Sequence, residues 1–168
     1  LEAGDQPGGR IRTDTHGPFR LDRGFQVLLD AYPECRRTLD YPALNLGRFE
    51  QGAVVHMDQQ LVPMLDPLRR PGSVGTVLGA PIGTLADKVR IGLLKARLRT
   101  VSPDSLYTRE DLTTRDWLDR MGLGKSIREG FLRPFFSGIF LEPNLSTSRR
   151  MFEFVFKMFG EGNAALPA

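Results

Sequence analysis

Ile82, Leu85, Ala86, Val89 and Leu93 recur at helical spacing, and residues 82–98 form the strongest periodic segment of the chain. Lys88, Arg90, Lys95, Arg97 and Arg99 fall mostly off that apolar face, and the cationic end suits the negative pole of a helix dipole. The apolar face is expected to pack on the rest of its domain. A basic amphipathic helix also suits an anionic membrane surface. Residues 113–121 predict a second helix, capped by Thr113 or Thr114 and stopped by Gly122. Ser126 to Leu132 predicts a third, Pro134 opens another through Phe140, and Ser146 to Phe159 predicts the last, stopped by Gly160.

The N-terminal third reads differently. Leu1 to Ala3 is the tail of a strand, followed by a dense turn over Gly4, Asp5, Pro7, Gly8 and Gly9. Ile11 to Asp14 and Phe19 to Asp22 are extended, joined by a turn at His16-Gly17-Pro18. Tyr32 to Leu39 predicts a short helix with Asp30 as its cap and Pro33 in its first turn. Phe49 to Met57 and Leu61 to Met64 predict a hairpin around Asp58-Gln59-Gln60, since Val54 and Val55 favour extended backbone. Asp66 to Gly79, rich in proline and glycine, reads as loop. Strands first and helices after imply a mixed α/β chain of the α+β kind.

Composition narrows the classes. Apolar residues at 40% allow a real core, and 26% charged is ordinary for a folded domain, which excludes whole-chain disorder. The net charge of +3 comes from scattered arginines, and no groove-reading motif accompanies it, so nucleic acid is excluded as a partner. Cys35 is the only cysteine, which rules out an internal disulfide or a thiolate cluster and makes a reducing cytoplasm the simplest compartment. His16 and His56 form no ligand motif, so no metal site is expected. No apolar run is long enough to cross a bilayer.

The candidate chemistry sits in the first ten residues, Leu-Glu-Ala-Gly-Asp-Gln-Pro-Gly-Gly-Arg. An acid at a strand end, here Glu2, can accept both ribose hydroxyls of a dinucleotide. Gly8 and Gly9 let a pyrophosphate approach backbone N–H groups closely, and Arg10 can neutralise it through forked donors. Eight of the eleven phenylalanines lie after Gly130, joined by Met151 and Met158. A helix this apolar is expected to be buried as core, and the same rings would suit the lining of an apolar substrate tunnel. Glu129, Glu142, Glu153 and Glu161 are the available acid–base groups, but none is paired with a histidine or nucleophile at informative spacing, so no catalytic residue is assigned.

The segment LEAGDQPGGRIRTD resembles the Glu-Ala-x-x-x-x-Gly-Gly-Arg signature of flavin-containing amine oxidases, phytoene desaturases and protoporphyrinogen oxidases. The resemblance continues through FRLDRGFQVLLDAYPE and returns in RPFFSGIFLEPNLSTSRRMFEFVFKMFGEGNAALPA, which is similar to a subgroup of NAD(P)/FAD-dependent oxidoreductases. It implies FAD as cofactor, with Glu2 on the adenosine ribose, Gly8, Gly9 and Arg10 at the pyrophosphate, and Gly24, Phe25 and Gln26 beside the flavin ring. From their charges alone, Asp22 and Arg23 read as a surface pair.

The same resemblance implies an internal fragment of an oxidoreductase that moves hydride from an amine or an apolar C–C substrate to FAD. Residues 1–48 would belong to a Rossmann-like FAD-binding domain, 49–159 to a substrate domain with a small sheet and helices, and 160–168 to a segment returning toward the flavin domain. The Gly-x-Gly-x-x-Gly element of such proteins lies before the point matching Leu1, so this chain alone is expected to bind FAD poorly and to be inactive. Two other classes stay open: a non-catalytic truncated module, and a domain associating peripherally with membranes.

Overall fold

The computed structural model describes residues 3–9, 12–24, 27–57 and 59–167. In chain order its strands and helices are β1 (Thr13–His16), β2 (Phe19–Asp22), β3 (Leu28–Leu29), α1 (Pro33–Thr38), α2 (Tyr41–Leu44), β4 (Leu46–Arg48), β5 (Gly52–Met57) and β6 (Gln60–Leu65). There follow α3 (Val74–Gly79), α4 (Leu85–Arg99), α5 (Pro103–Leu106), α6 (Thr114–Arg120), α7 (Lys125–Ile127), α8 (Arg133–Phe140), α9 (Arg149–Glu161) and β7 (Ala164–Pro167). The architecture is α+β, with small antiparallel sheets and a larger helical part. The chain divides into two compact units, Leu1–Phe49 with Asn163–Ala168, and Glu50–Gly162.

In the first unit, β1 and β2 form a hairpin in the register Thr13↔Asp22 to His16↔Phe19. Its turn uses Gly17 at φ +57, a left-handed conformation that glycine adopts without steric cost. A second, three-stranded sheet has the order β3-β7-β4, with β7 antiparallel to both neighbours. Pro167, which lacks an N–H, sits at the strand end opposite Leu46, where the missing donor does least harm. The expected capping role of Asp30 is corrected: Tyr32 occupies the N-cap of α1 and makes no side-chain cap bond. The Asp30 carboxylate instead accepts the Asn163 backbone N–H at 2.6 Å and its Nδ2 at 2.9 Å, and Arg48 lies 3.4 Å away. A local sequence reading cannot see donors that arrive from the far end of the chain.

The second unit opens with the β5–β6 hairpin, paired from Gly52↔Leu65 to Met57↔Gln60. Gln59 turns it at φ +63, and Asp58, expected in that turn, lies outside the described residues. The segment expected to be loop from Asp66 holds a short 3₁₀ turn (Pro71–Ser73) and α3. Its glycines hid the helix from propensity. Tertiary contacts favour it: Val77 is buried, and Lys88 Nζ donates to the carbonyls of Leu78 and Ala80 at the α3 C-terminus.

Helix α4 starts three residues later than Ile82, because Gly83 adopts φ +70 and Thr84 caps the helix in a reciprocal box with Asp87. Its orientation overturns the expected face. Leu94 and Leu98 are buried beside Asp87, whereas Leu85, Val89 and Leu93 are 61%, 52% and 65% exposed. The helix carries two apolar stripes, and the one containing Ile91, Leu94 and Leu98 enters the core. Gly83 is needed for its conformation and for space, since a Cβ there would lie 2.8 Å from Ile127 Cβ. Gly83→Ala is expected to destabilise the protein by about 2 kcal/mol in urea unfolding. Gly92→Ala, in the same helix with open space around it, is expected to stabilise by about 0.5–1 kcal/mol. Equal effects at the two sites would refute this account.

Thr113, not Thr114, caps α6, accepting the Asp116 N–H, while the buried Thr114 hydroxyl donates to Thr147 O. Gly122 at φ +67 ends that helix as expected. The two helices expected over 126–140 are one continuous rod: α7 passes through a π-helical stretch (Arg128–Leu132) into α8. Pro134 cannot donate a helical hydrogen bond, and the wider π turn just before it absorbs that loss. Gly160 does not stop α9; it lies inside the helix, where a Cβ would press on the Lys95 side chain at 3.2 Å. Helix α9 packs against α4, α5 and α6 and buries Phe152, Val155 and Met158. Around it the rings cluster, with Phe136 and Phe152 centroids 4.5 Å apart and Phe135 and Phe159 5.3 Å apart. These phenylalanines are core, as the apolar pattern predicts.

Candidate functional site

The glycine pair expected at the pyrophosphate forms an exposed turn in the first unit, with Gly8 at φ 118 and Gly9 at φ 55. Consecutive positive φ values are open to glycine and hostile to almost any other residue. A Cβ on Gly9 would meet nothing within 4 Å among the described residues. Glu2 and Arg10, the expected ribose and phosphate partners, lie outside the described residues.

Sequence reasoning missed what ties this turn down. Arg12 Nη1 meets Asp5 Oδ1 at 2.6 Å, closing the loop across Gly8 and Gly9. Arg12 also lies 3.7 Å from Asp14, and Asp14 accepts Arg23 Nε at 2.6 Å. This chain of charges runs from the glycine turn to Arg23, the neighbour of Gly24. The Arg12 guanidinium holds the Asp5 carboxyl below the usual carboxylate range, and Arg23 does the same for Asp14. The expected Asp22–Arg23 pair is corrected, because Asp22 accepts the Thr13 hydroxyl and Arg23 faces Asp14. The only sequence hint was the alternation of Asp5, Arg12, Asp14 and Arg23. Exposed charges have too many alternative partners for that to select one. Gly24 sits at a bend just after β2, and Phe25 and Gln26, expected with it at the flavin ring, lie outside the described residues.

The second unit has a cleft of about 320 Å³ between β5 and the rod of α7 and α8. Ala53, Val54, Val55 and His56 line one side, and Gly130, Phe131, Pro134 and Phe135 the other. Phe131 and Phe135 stack with ring centroids 5.7 Å apart, and the π-helical stretch that carries Gly130 and Phe131 forms part of the wall. Among the described residues, His56 is the only titratable side chain of the lining.

The four glutamates considered as acid–base groups all make structural contacts. Glu153 is fully buried between Arg109 at 2.8 Å and Arg149 at 3.3 Å. Glu129 pairs with Arg133 at 2.7 Å, which lowers its pKa, and Glu161 pairs with Lys157. Glu142 accepts the N–H groups of Asn144 and Ser146; desolvation raises its pKa, but those donors outweigh it and the net shift is downward. Among the described residues no group of His, Cys, Asp and Glu side chains gathers as a metal site, and no helix is long and apolar enough to cross a membrane.

The family model for flavin containing amine oxidoreductases matches residues 1–167 of the chain. No curated protein and no solved structure matches it.

Proposed function

Because the chain belongs to the flavin containing amine oxidoreductase family, we propose that it is part of an FAD-dependent enzyme that oxidises a C–N or C–C bond of an apolar substrate. The flavin-dependent oxidoreductase character follows from the family. The assignment of residues rests on one observation, the Gly8-Gly9 turn with its two positive φ values and its open side. In this reading Gly8 and Gly9 offer backbone N–H groups to the pyrophosphate, and Arg10 neutralises its charge. Glu2 accepts the ribose hydroxyls, and Asp5 with Arg12 keeps the loop closed around its glycines. Gly24 leaves room for the flavin ring, and Phe25 and Gln26 flank it.

Bound FAD supplies the two-electron acceptor for the substrate's hydride. The protein's task is then to bind, orient and exclude water. The cleft of Val54, Phe131 and Phe135 favours an apolar substrate, and His56 at its edge is available to a polar end group. The four glutamates are already committed to arginine, lysine or backbone donors, so none of them is assigned as a general base.

The test is flavin retention by the full-length protein through gel filtration, followed by anaerobic bleaching with amines and with apolar unsaturated substrates. Wild-type protein is expected to stay yellow. Gly9→Val, which forces a branched side chain into a left-handed turn and fills the open space, is expected to weaken FAD binding by about 10- to 100-fold. Loss of flavin from wild-type protein would reject the cofactor reading. Undiminished binding by Gly9→Val would reject the role of the turn.

A further inference from the structure

Helix α4 turns Leu85, Val89 and Leu93 to solvent although its opposite side already fills the core. Ala86, Gly92 and Ala96 are exposed with them and leave the stripe smooth. Isolated exposed leucines need no explanation, but three large aliphatic groups at i, i+4 and i+8 form a continuous strip that favours a partner. The strip has a cationic border: Arg90 and Arg97 flank it on one side and Arg99 on the other. Among the described residues Arg97 and Arg99 pair with no carboxylate, and the nearest to Arg90 is Asp87 at 3.8 Å.

We infer that this face of α4 docks on an anionic lipid bilayer, with the aliphatic strip in the acyl boundary and the arginines at the headgroup phosphates. A second feature fits the same ligand. Between α4 and α6 lies a cleft of about 250 Å³ whose lining combines Arg90 and Arg97 with Leu93, Leu94, Trp117 and Met121. Two guanidinium groups beside an apolar floor match a phosphate joined to a hydrocarbon chain. Trp117, an amphipathic ring of the kind that sits at membrane interfaces, is part of that lining. An acidic protein would answer the arginines but leave the aliphatic strip unmatched. A second copy of the chain would bring the same arginines face to face.

The inference goes beyond the proposed oxidation and is read without flavin or turnover. Full-length protein is sedimented with vesicles of phosphatidylcholine alone or mixed with phosphatidylglycerol, at low and high salt. Retention is expected only with phosphatidylglycerol and is reversed by salt. Arg90→Gln/Arg97→Gln is expected to weaken partitioning about 30-fold, and Leu85→Ser/Leu93→Ser at least about tenfold. All four positions are exposed or border the cleft, so circular dichroism should stay unchanged. No retention by anionic vesicles overturns the inference, as does retention that both double variants leave intact. Dimerisation that Leu85→Ser/Leu93→Ser abolishes, without vesicle binding, assigns the face to a second copy and overturns it as well.

Discussion

Glu153→Ala is expected to lower the unfolding free energy by about 3–5 kcal/mol. The carboxylate is fully buried on α9 and meets two guanidinium groups, Arg109 from the segment after α5 and Arg149 one turn back on its own helix. Removing it leaves Arg149, itself buried, with no other carboxylate partner among the described residues. The Trp117 ring, 3.5 Å below the guanidinium, gives partial compensation only. Among the described residues Arg149 Nε already lacks an acceptor, so the site has no spare acceptor to offer it. Urea unfolding should show the loss as an earlier midpoint with an unchanged slope. Glu153→Gln keeps an acceptor without the charge and should lose about half as much. Arg149→Met/Glu153→Leu should recover most of the stability, because a buried ion pair exchanged for packed apolar groups is often neutral. A Glu153→Ala loss below about 1 kcal/mol would show that the triad is solvated in solution.

Asp30→Ala is expected to cost about 3 kcal/mol in the first unit, and with it the protein should lose part of its acid sensitivity. Asp30 is buried, and its carboxylate holds both donors of Asn163 at the entrance to β7. Burial raises its pKa, but the Asn163 side chain and backbone, with Arg48, outweigh it, and the net shift is downward. A lowered folded-state pKa means that the native state favours the charged form. The stabilisation is therefore complete above the unfolded value of about 3.9 and is lost as pH falls through the lower folded value. Hydrogen exchange of the β7 amides across an acid series reads this directly. Wild-type protection should fall below about pH 4, while Asp30→Asn should begin lower and change less over the same interval. Identical acid profiles for the two proteins would remove Asp30 from the account.

Of the candidate site, the turn was legible because its conformation is local: Pro7-Gly8-Gly9 reads as a turn, and both glycines take positive φ values. The partners that steady the loop were not legible. Asp5 reaches Arg12 across the glycine turn and Asp14 reaches Arg23 across the β1–β2 hairpin, and exposed charges at such separations carry no positional signal until the chain folds back. The glutamates show the converse. Their spacing gave no pairing with a histidine to assign, and only the packing of α9 showed that Glu153 is an internal anchor.

By itself the sequence determined the family through its opening signature, the α+β order of elements, the Gly122 stop of α6, and the burial of the phenylalanine-rich end. Each of these depends on neighbours within a few positions, or on total apolar content. The tertiary structure alone decided which stripe of α4 is buried. Leu85, Val89 and Leu93 repeat with the same period as Ile91, Leu94 and Leu98, so periodicity cannot choose between them; contact with α9 does. It also moved Asp30 from a helix cap to the clasp of β7, and made a helix of residues 74–79 despite their glycines. In each case the deciding partner lies outside the helix or turn concerned, and the free energy of that contact exceeds the small local preferences the sequence displays.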